Sequence, residues 1–298
     1  MSTRDHFETE RPNPATLALD TLSTSAAFDA MNAEDARVAE AVARAKGDIV
    51  RTIDLVADRL GRGGRLFYVG AGTSGRLGVL DATECPPTFQ TEPTLVQGVI
   101  AGGERALTTA VEGAEDSREN GANAIRERQV GALDVVFGIA AGGTTPFVHA
   151  ALDEARSRKA ATVFLACVPK DQAPDAADVS IRVITGPEVV AGSTRLKAGT
   201  ATKLVLNTIT TLVMVRLGKV HGNLMVDVNT RGNAKLWQRG ISLVARIAQV
   251  DRDDAERLLE SAGGSVKVAV AMRARSLSRH EAEDRLARCG GVLRRALE

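Results

Sequence analysis

Hydrophobic and polar positions along this chain follow two rhythms. From Glu34 to Leu60, residues Val38, Val42, Ala45, Ile49, Ile53, Val56 and Leu60 recur every three or four positions. That is the single stripe of an amphipathic helix, and Gly61 with Gly63-Gly64 ends it. Short continuous apolar runs then take over, at Leu66–Val69, Leu95–Ile100, Asp134–Ala140, Ala161–Val168 and Val179–Thr185. Each has the length of a strand, and the stretches between them read as helices. One ends near Cys85-Pro86-Pro87, others lie around Glu104–Val111 and Asp116–Arg128, one runs to about Arg158, and one spans about Thr200 to Leu217. Strands that are apolar on both faces and alternate with helices predict an α/β fold, a doubly wound parallel sheet flanked by helices.

The ends of the chain read differently. The first two dozen residues, with Pro12 and Pro14, show no periodicity and predict an extended arm. Past Leu217 the strand signal fades, apart from Asn223–Val228, and the rest is helical and rich in Arg, Glu and Asp. Ser278-Arg-His-Glu281 has the form of a capping box opening a last helix. The expected organisation is an arm over 1–32, a catalytic α/β domain over 33–239 and a small C-terminal helical appendage over 240–298.

Composition narrows the partners. Apolar residues make up 44% of 298 residues, enough for a core. Lys and Arg number 38 against 37 acids, a net charge of +1, which favours neither nucleic acid nor an anionic membrane. Aromatics are 3%, which argues against base-stacking and against sugar binding by stacked rings. The three cysteines, Cys85, Cys167 and Cys289, are scattered without a C-x-x-C, so neither a zinc site nor a disulfide framework is expected. Arg4, Asp5 and Glu8 stand where a signal peptide would be apolar, and the segment Leu204–Val215 reads as too short and too polar to span a bilayer. A soluble cytoplasmic protein is expected.

Three glycine- and hydroxyl-rich loops follow strand signals. The first, Gly70-Ala-Gly-Thr-Ser-Gly75, sits between a strand and a helix. Close backbone approach, free N–H groups and the helix dipole make such a turn an anion site. It lacks the Lys-Ser/Thr of a Walker loop. Its glycines fit the G-x-G-x-x-G spacing, but no clear acidic ribose ligand ends the next strand. Phosphate binding, a merely tight turn and a dinucleotide site all stay open, with the hydroxyls of Thr73 and Ser74 suiting a phosphomonoester. The second loop is Gly142-Gly-Thr-Thr-Pro146. The third, Ser193-Thr-Arg-Leu-Lys-Ala-Gly-Thr200, stacks hydroxyls and cations before a helix. Cations there oppose the helix dipole, so an anion is expected to compensate.

Acids cluster twice, at Asp81-Ala-Thr-Glu84 before Pro86-Pro87 and at Glu112-Gly-Ala-Glu115-Asp116. By spacing alone each reads first as a solvated group, and Asp116 equally as a cap for the helix that follows. His149 reads as structural and His280 as surface; His221, beside Gly222-Asn223, is less easily dismissed.

Taken together, these segments resemble the N-acetylmuramic acid 6-phosphate etherase family. The resemblance is carried by Val69-Gly-Ala-Gly-Thr-Ser-Gly-Arg-Leu-Gly78, Asp81-Ala-Thr-Glu-Cys-Pro-Pro-Thr-Phe89, Ala101-Gly-Gly103, Ala110-Val-Glu-Gly-Ala-Glu-Asp-Ser117, Gly186-Pro-Glu-Val-Val190, Gly192–Thr200 and Gly222–Val228. It runs from about Thr9 into the helical tail. It implies a sugar isomerase (SIS) domain, a homodimer, no metal or organic cofactor and an amino-sugar phosphate as small-molecule substrate. The implied reaction, a step in cell-wall sugar recycling, is loss of D-lactate from the C3 ether of N-acetylmuramic acid 6-phosphate, leaving N-acetylglucosamine 6-phosphate. It assigns Glu84 as proton donor and Glu115 as the second catalytic acid/base. Gly72, Thr73, Ser74, Gly143, Thr144, Ser193, Thr194, Lys197 and Thr200 become candidates for binding the phosphosugar. In the second loop the family pattern would be Ala-Ala-Ser-Gly-Arg-Thr-Pro, and Gly142 and Thr144 stand here for its Ser and Arg. Two rivals share the domain type: a phosphosugar-sensing regulator, in which the glutamates would be idle, and an aldose–ketose isomerase, which needs no acid aimed at C3.

Overall fold

The computed structural model describes residues 7–298. Arg4 and Asp5 lie outside the described residues. Before the sheet come helices α1 (Thr24–Asp35), α2 (Val38–Arg44) and α3 (Lys46–Gly61). The sheet and its crossovers follow as β1 (Leu66–Gly70), α4 (Gly72–Phe89), β2 (Val96–Ile100), α5 (Arg105–Thr108), α6 (Arg118–Glu127), β3 (Val135–Ile139), α7 (Pro146–Ser157), β4 (Ala161–Ala166), β5 (Val179–Arg182) and α8 (Lys197–Arg216). The five strands are all parallel, in the order β2-β1-β3-β4-β5.

Alternation along the strands explains the double winding. Phe67, Val69, Val136 and Phe164 join one buried cluster with Phe147, Val148 and Ala151 of α7 and Ile125 of α6. Tyr68 points the other way, where α4 crosses so closely that a Cβ on Gly78 would lie 2.8 Å from the Tyr68 Cβ. Both faces are therefore covered, as the continuous apolar runs require.

Three local expectations are corrected. The stripe from Glu34 to Leu60 is carried by the end of α1 and by α2 and α3, not by one helix. Its Val38, Ile49, Ile53 and Val56 are buried within their own chain, so the spacing marks buried positions on both sides of the break. The opening arm is not extended throughout; Glu8–Glu10, Pro14–Thr16 and Leu19–Thr21 form 3-10 turns. And Pro86-Pro87 does not end α4. The helix continues to Phe89 and stops at Gln90, which is left-handed (φ 50°) and donates its N–H to the Pro86 carbonyl at 2.9 Å. The two prolines withdraw their own N–H groups from the ladder, and the helix runs only two residues beyond them.

By compactness the chain forms two units. The first holds the described residues up to Ala82 together with Thr94–Thr210; the second holds Thr83–Pro93 and Thr211–Glu298. In the second, a ribbon of β6 (Val220–His221) and β7 (Leu224–Met225) precedes α9 (Ala234–Ala248), α10 (Arg252–Ser261), α11 (Val266–Arg275), α12 (Arg279–Arg288) and α13 (Leu293–Leu297). Ser278 and Glu281 form the expected capping box on α12. Asp227 takes both Lys219, at 3.1 Å, and the buried Lys267, at 2.7 Å. Burial pushes the Lys267 ammonium below its ordinary value, against the pull of Asp227. Helix α8 is longer than the segment expected from the sequence and, by length and hydropathy, could cross a bilayer; 56% of that window is buried inside the fold, as in a core helix.

Candidate functional site

Sheet order reverses between β1 and β3, and ligands of doubly wound sheets sit outside the carboxyl ends of the strands at such a point. The loops leaving β1 and β3 there flank a cleft of about 280 Å³. Its walls are Ala71–Ser74 on one side, Ala140–Gly142 and Thr144–Pro146 on the other, with Glu115, Thr194, Gly192 and Glu10 around the rim.

On the β1 side, glycine is forced by space and by conformation. A Cβ on Gly70 would lie 2.6 Å from the Gly75 nitrogen, and Gly72 opens α4 with φ +51°. Gly75 N–H bonds to the Ala71 carbonyl at 3.2 Å, so the first-turn amides of Gly72, Thr73 and Ser74 are the ones left for a ligand. With the hydroxyls of Thr73 and Ser74 they form a neutral donor set at the positive end of a helix dipole.

On the β3 side, Thr144 and Thr145 line the cleft just before Pro146 opens α7. Gly143 (φ +78°) turns away instead; a Cβ there would stand 2.4 Å from the Ala173 Cβ. His149 Nε2 donates to the Gly143 carbonyl at 2.7 Å, which makes this histidine the brace of the loop.

The third loop contributes Thr194 to the cleft, while Ser193, Lys197 and Thr200 are not among its lining residues. The anion that should offset the cations at α8 is supplied by the chain itself, which corrects the argument for a ligand there. The buried Glu188 carboxylate accepts from the Lys197 and Ala198 N–H groups, each at 2.9 Å. Burial pushes Glu188 above its ordinary value, partly offset by those two N–H groups and by the Lys197 charge. The Lys197 ammonium, only 2% exposed, pairs with Glu34, which also accepts from Asn13 Nδ2 at 2.9 Å. Lys197 thus ties α1 and α8 together.

The acids separate by role. Glu115 lies on a 3-10 turn, Ala114–Asp116, entered through left-handed Gly113 (φ 72°), and is exposed at the cleft. Ser117, not Asp116, caps α6, accepting from Asn120 N–H at 3.2 Å. Asp81 is buried and accepts from Asn207 at 2.6 Å and Thr210 at 3.1 Å, so it joins α4 to α8. Burial pushes it above its ordinary value. Glu84 is exposed, one turn further along α4, in the second unit. Cys167 is buried and its thiol is pushed up to about 12 by burial, which removes it as a nucleophile. Sequence reasoning missed Glu188 and Glu10. The Pro before Glu188 hides a capping role that acts nine residues on, and nothing in the spacing brings Glu10 to the third loop.

A parallel sheet with hydroxyl-lined helix openings at its switch point defines a doubly wound α/β domain. Residues 48–156 match the family model described as the glucokinase regulatory protein N-terminal SIS domain. N-acetylmuramic acid 6-phosphate etherase of Synechocystis sp. is 51% identical over all of this chain and 97% of its own length. That of Thermosynechococcus vestitus is 54% identical over 91% of this chain and 88% of its own. Among solved structures, the C-terminal domain of glucosamine-fructose-6-phosphate aminotransferase from Francisella tularensis aligns with 72% of this chain and 56% of that one, at 16% identity and a TM-score of 0.42. The chain belongs to the N-acetylmuramic acid 6-phosphate etherase family.

Proposed function

We propose that this protein cleaves the D-lactyl ether of N-acetylmuramic acid 6-phosphate. The observation that carries the reading is the cleft in which the first turn of α4, Thr144 and Thr194 face the exposed carboxylate Glu115. Neutral donors and helix dipoles hold the phosphate. The acid is left for chemistry rather than for charge pairing, and the Glu10 carboxylate suits a sugar hydroxyl.

The chemistry needs two carboxylates. An alkyl ether is a poor leaving group, but in the open-chain sugar the C2 proton lies α to the C1 aldehyde. One carboxylate takes that proton while the C3–O bond breaks, and the departing lactate oxygen takes a proton from the other. Water then adds across the C2–C3 double bond, its hydroxyl to C3 and a proton to C2. Glu115 serves as the C2 base, and Glu84, assigned by family resemblance, as the proton donor.

Lactate release from the phosphorylated muramic sugar, read with lactate dehydrogenase, tests the reading. Binding without lactate release would instead mark a sensor, and aldose–ketose conversion an isomerase. Ser74→Ala with Thr194→Ala is expected to raise KM roughly 10-fold or more, since a hydrogen bond to a charged group is worth about 1.5–3 kcal/mol. The change in kcat should be smaller, because phosphate contacts are alike in ground and transition states. Unchanged inhibition by inorganic phosphate in the double variant would count against this placement.

The protein acts as a homodimer in this reading. The expected stripe is buried within the chain, so the surface for a partner lies elsewhere: Leu17 is 71% exposed and Phe28 on α1 is 66% exposed. Light scattering is expected to give twice 31.4 kDa, falling to one chain mass in Phe28→Asp. A single-chain mass for the active wild type would refute it.

A further inference from the structure

Adjoining the cleft is a second cavity of about 270 Å³ that shares Ala71, Gly72 and Glu115 with the first. Its walls include the methyl groups of Ala106, Ala110 and Val111, and Arg76 from the second turn of α4 lines it. Arg76 Nε donates to the Leu107 carbonyl at 3.1 Å, which fixes the plane of the guanidinium. Its terminal amino groups make no hydrogen bond among the described residues. Glu112 and Glu115 also line the cavity, yet neither forms an ion pair with Arg76. A braced guanidinium with an unused donor edge, beside small apolar walls, suits a compact group that carries one carboxylate and one methyl.

We infer that Arg76 holds the lactyl carboxylate of the substrate in this cavity, with the lactyl methyl against Ala106, Ala110 and Val111. This rests on the etherase reading. It puts the phosphate and the leaving group in two adjoining cavities that Glu115 lines in common, and so brings the C2–C3 bond between them near that carboxylate. Arg76 is then the residue that distinguishes the lactyl ether from the same sugar phosphate without it.

The test compares two ligands. In Arg76→Ala, KM for N-acetylmuramic acid 6-phosphate is expected to rise roughly 10- to 100-fold, the worth of a charge-assisted hydrogen bond. Calorimetric affinity for N-acetylglucosamine 6-phosphate, which lacks the lactyl group, should stay within about two-fold, because none of its contacts involves Arg76. That second ligand also reports folding of the variant, and Arg76→Lys, which keeps the charge but not the fork, should recover part of the loss. Equal weakening of both ligands, or an unchanged KM, would overturn the assignment. If the wild type releases no lactate, the etherase reading itself fails, and the ratio of affinities for the two sugars in wild type and Arg76→Ala still judges Arg76.

Discussion

Glu115→Gln is expected to lower lactate release by roughly 10²–10⁴-fold, the usual worth of one general acid or base. The side chain is exposed on a turn whose shape is set by Gly113, so the amide should leave the fold and phosphosugar affinity intact. As the C2 base, Glu115 also governs exchange of the C2 proton with deuterated water, and that exchange should fail with lactate release. Glu84→Gln is expected to spare exchange while stopping release, because it removes the proton given to the leaving oxygen. Exchange retained in Glu115→Gln and lost in Glu84→Gln would reverse the two roles. Wild-type lactate release in either variant would remove that residue from the mechanism.

Lys197→Met is expected to lower the unfolding free energy by about 3–5 kcal/mol in urea titrations, the cost of breaking a buried ion pair. It leaves the Glu34 carboxylate buried with its ammonium gone and only the largely exposed Arg37, at 3.0 Å, as a cation partner. Glu34→Leu combined with Lys197→Met should restore much of the loss, since an apolar pair needs no solvation. If the double variant is less stable than either single one, the ion pair is not what Lys197 contributes. The pair also sets an acid limb. Burial pushes Glu34 up, but the bonds to Lys197 and Asn13 and the charges of Lys197 and Arg37 outweigh it and hold the carboxyl below its ordinary 4.5. An acid depressed in the folded state contributes stability above its unfolded value and loses it as pH falls through the folded one. Wild type should therefore lose this contribution below pH 4.5, and Lys197→Met, in which only Asn13 and Arg37 still favour the carboxylate, should show a smaller loss from Glu34.

The strands were legible because buried parallel strands leave continuous apolar runs, and all five fall within a few residues of the expected segments. Their order was not, since no residue pattern says which strand β1 pairs with on either side. The break between α2 and α3 escaped because both pieces bury residues that keep the three-and-four spacing. The cleft-lining loops at Gly72–Ser74, Thr144 and Thr194 were visible as glycine and hydroxyl clusters after strands. Lys197 was misjudged for a specific reason: its counterion, Glu34, is 163 positions away in the chain. A cation before a helix looks like a ligand site until the distant acid that neutralises it is known.

The Glu188 cap on α8 has a consequence for how a ligand is aimed. A fold that binds a dianion by helix openings must keep other openings from competing for it. By seating its own carboxylate at α8, the chain occupies the Lys197 and Ala198 amides, so that in the proposed reading the phosphate is drawn to the α4 opening instead. A sugar anchored at one end only through C6 can swing; one whose anchor has a single address sweeps a much smaller arc. In the proposed mechanism Glu188 takes no proton, yet its place at α8 would narrow the set of directions from which C2 and C3 reach Glu115.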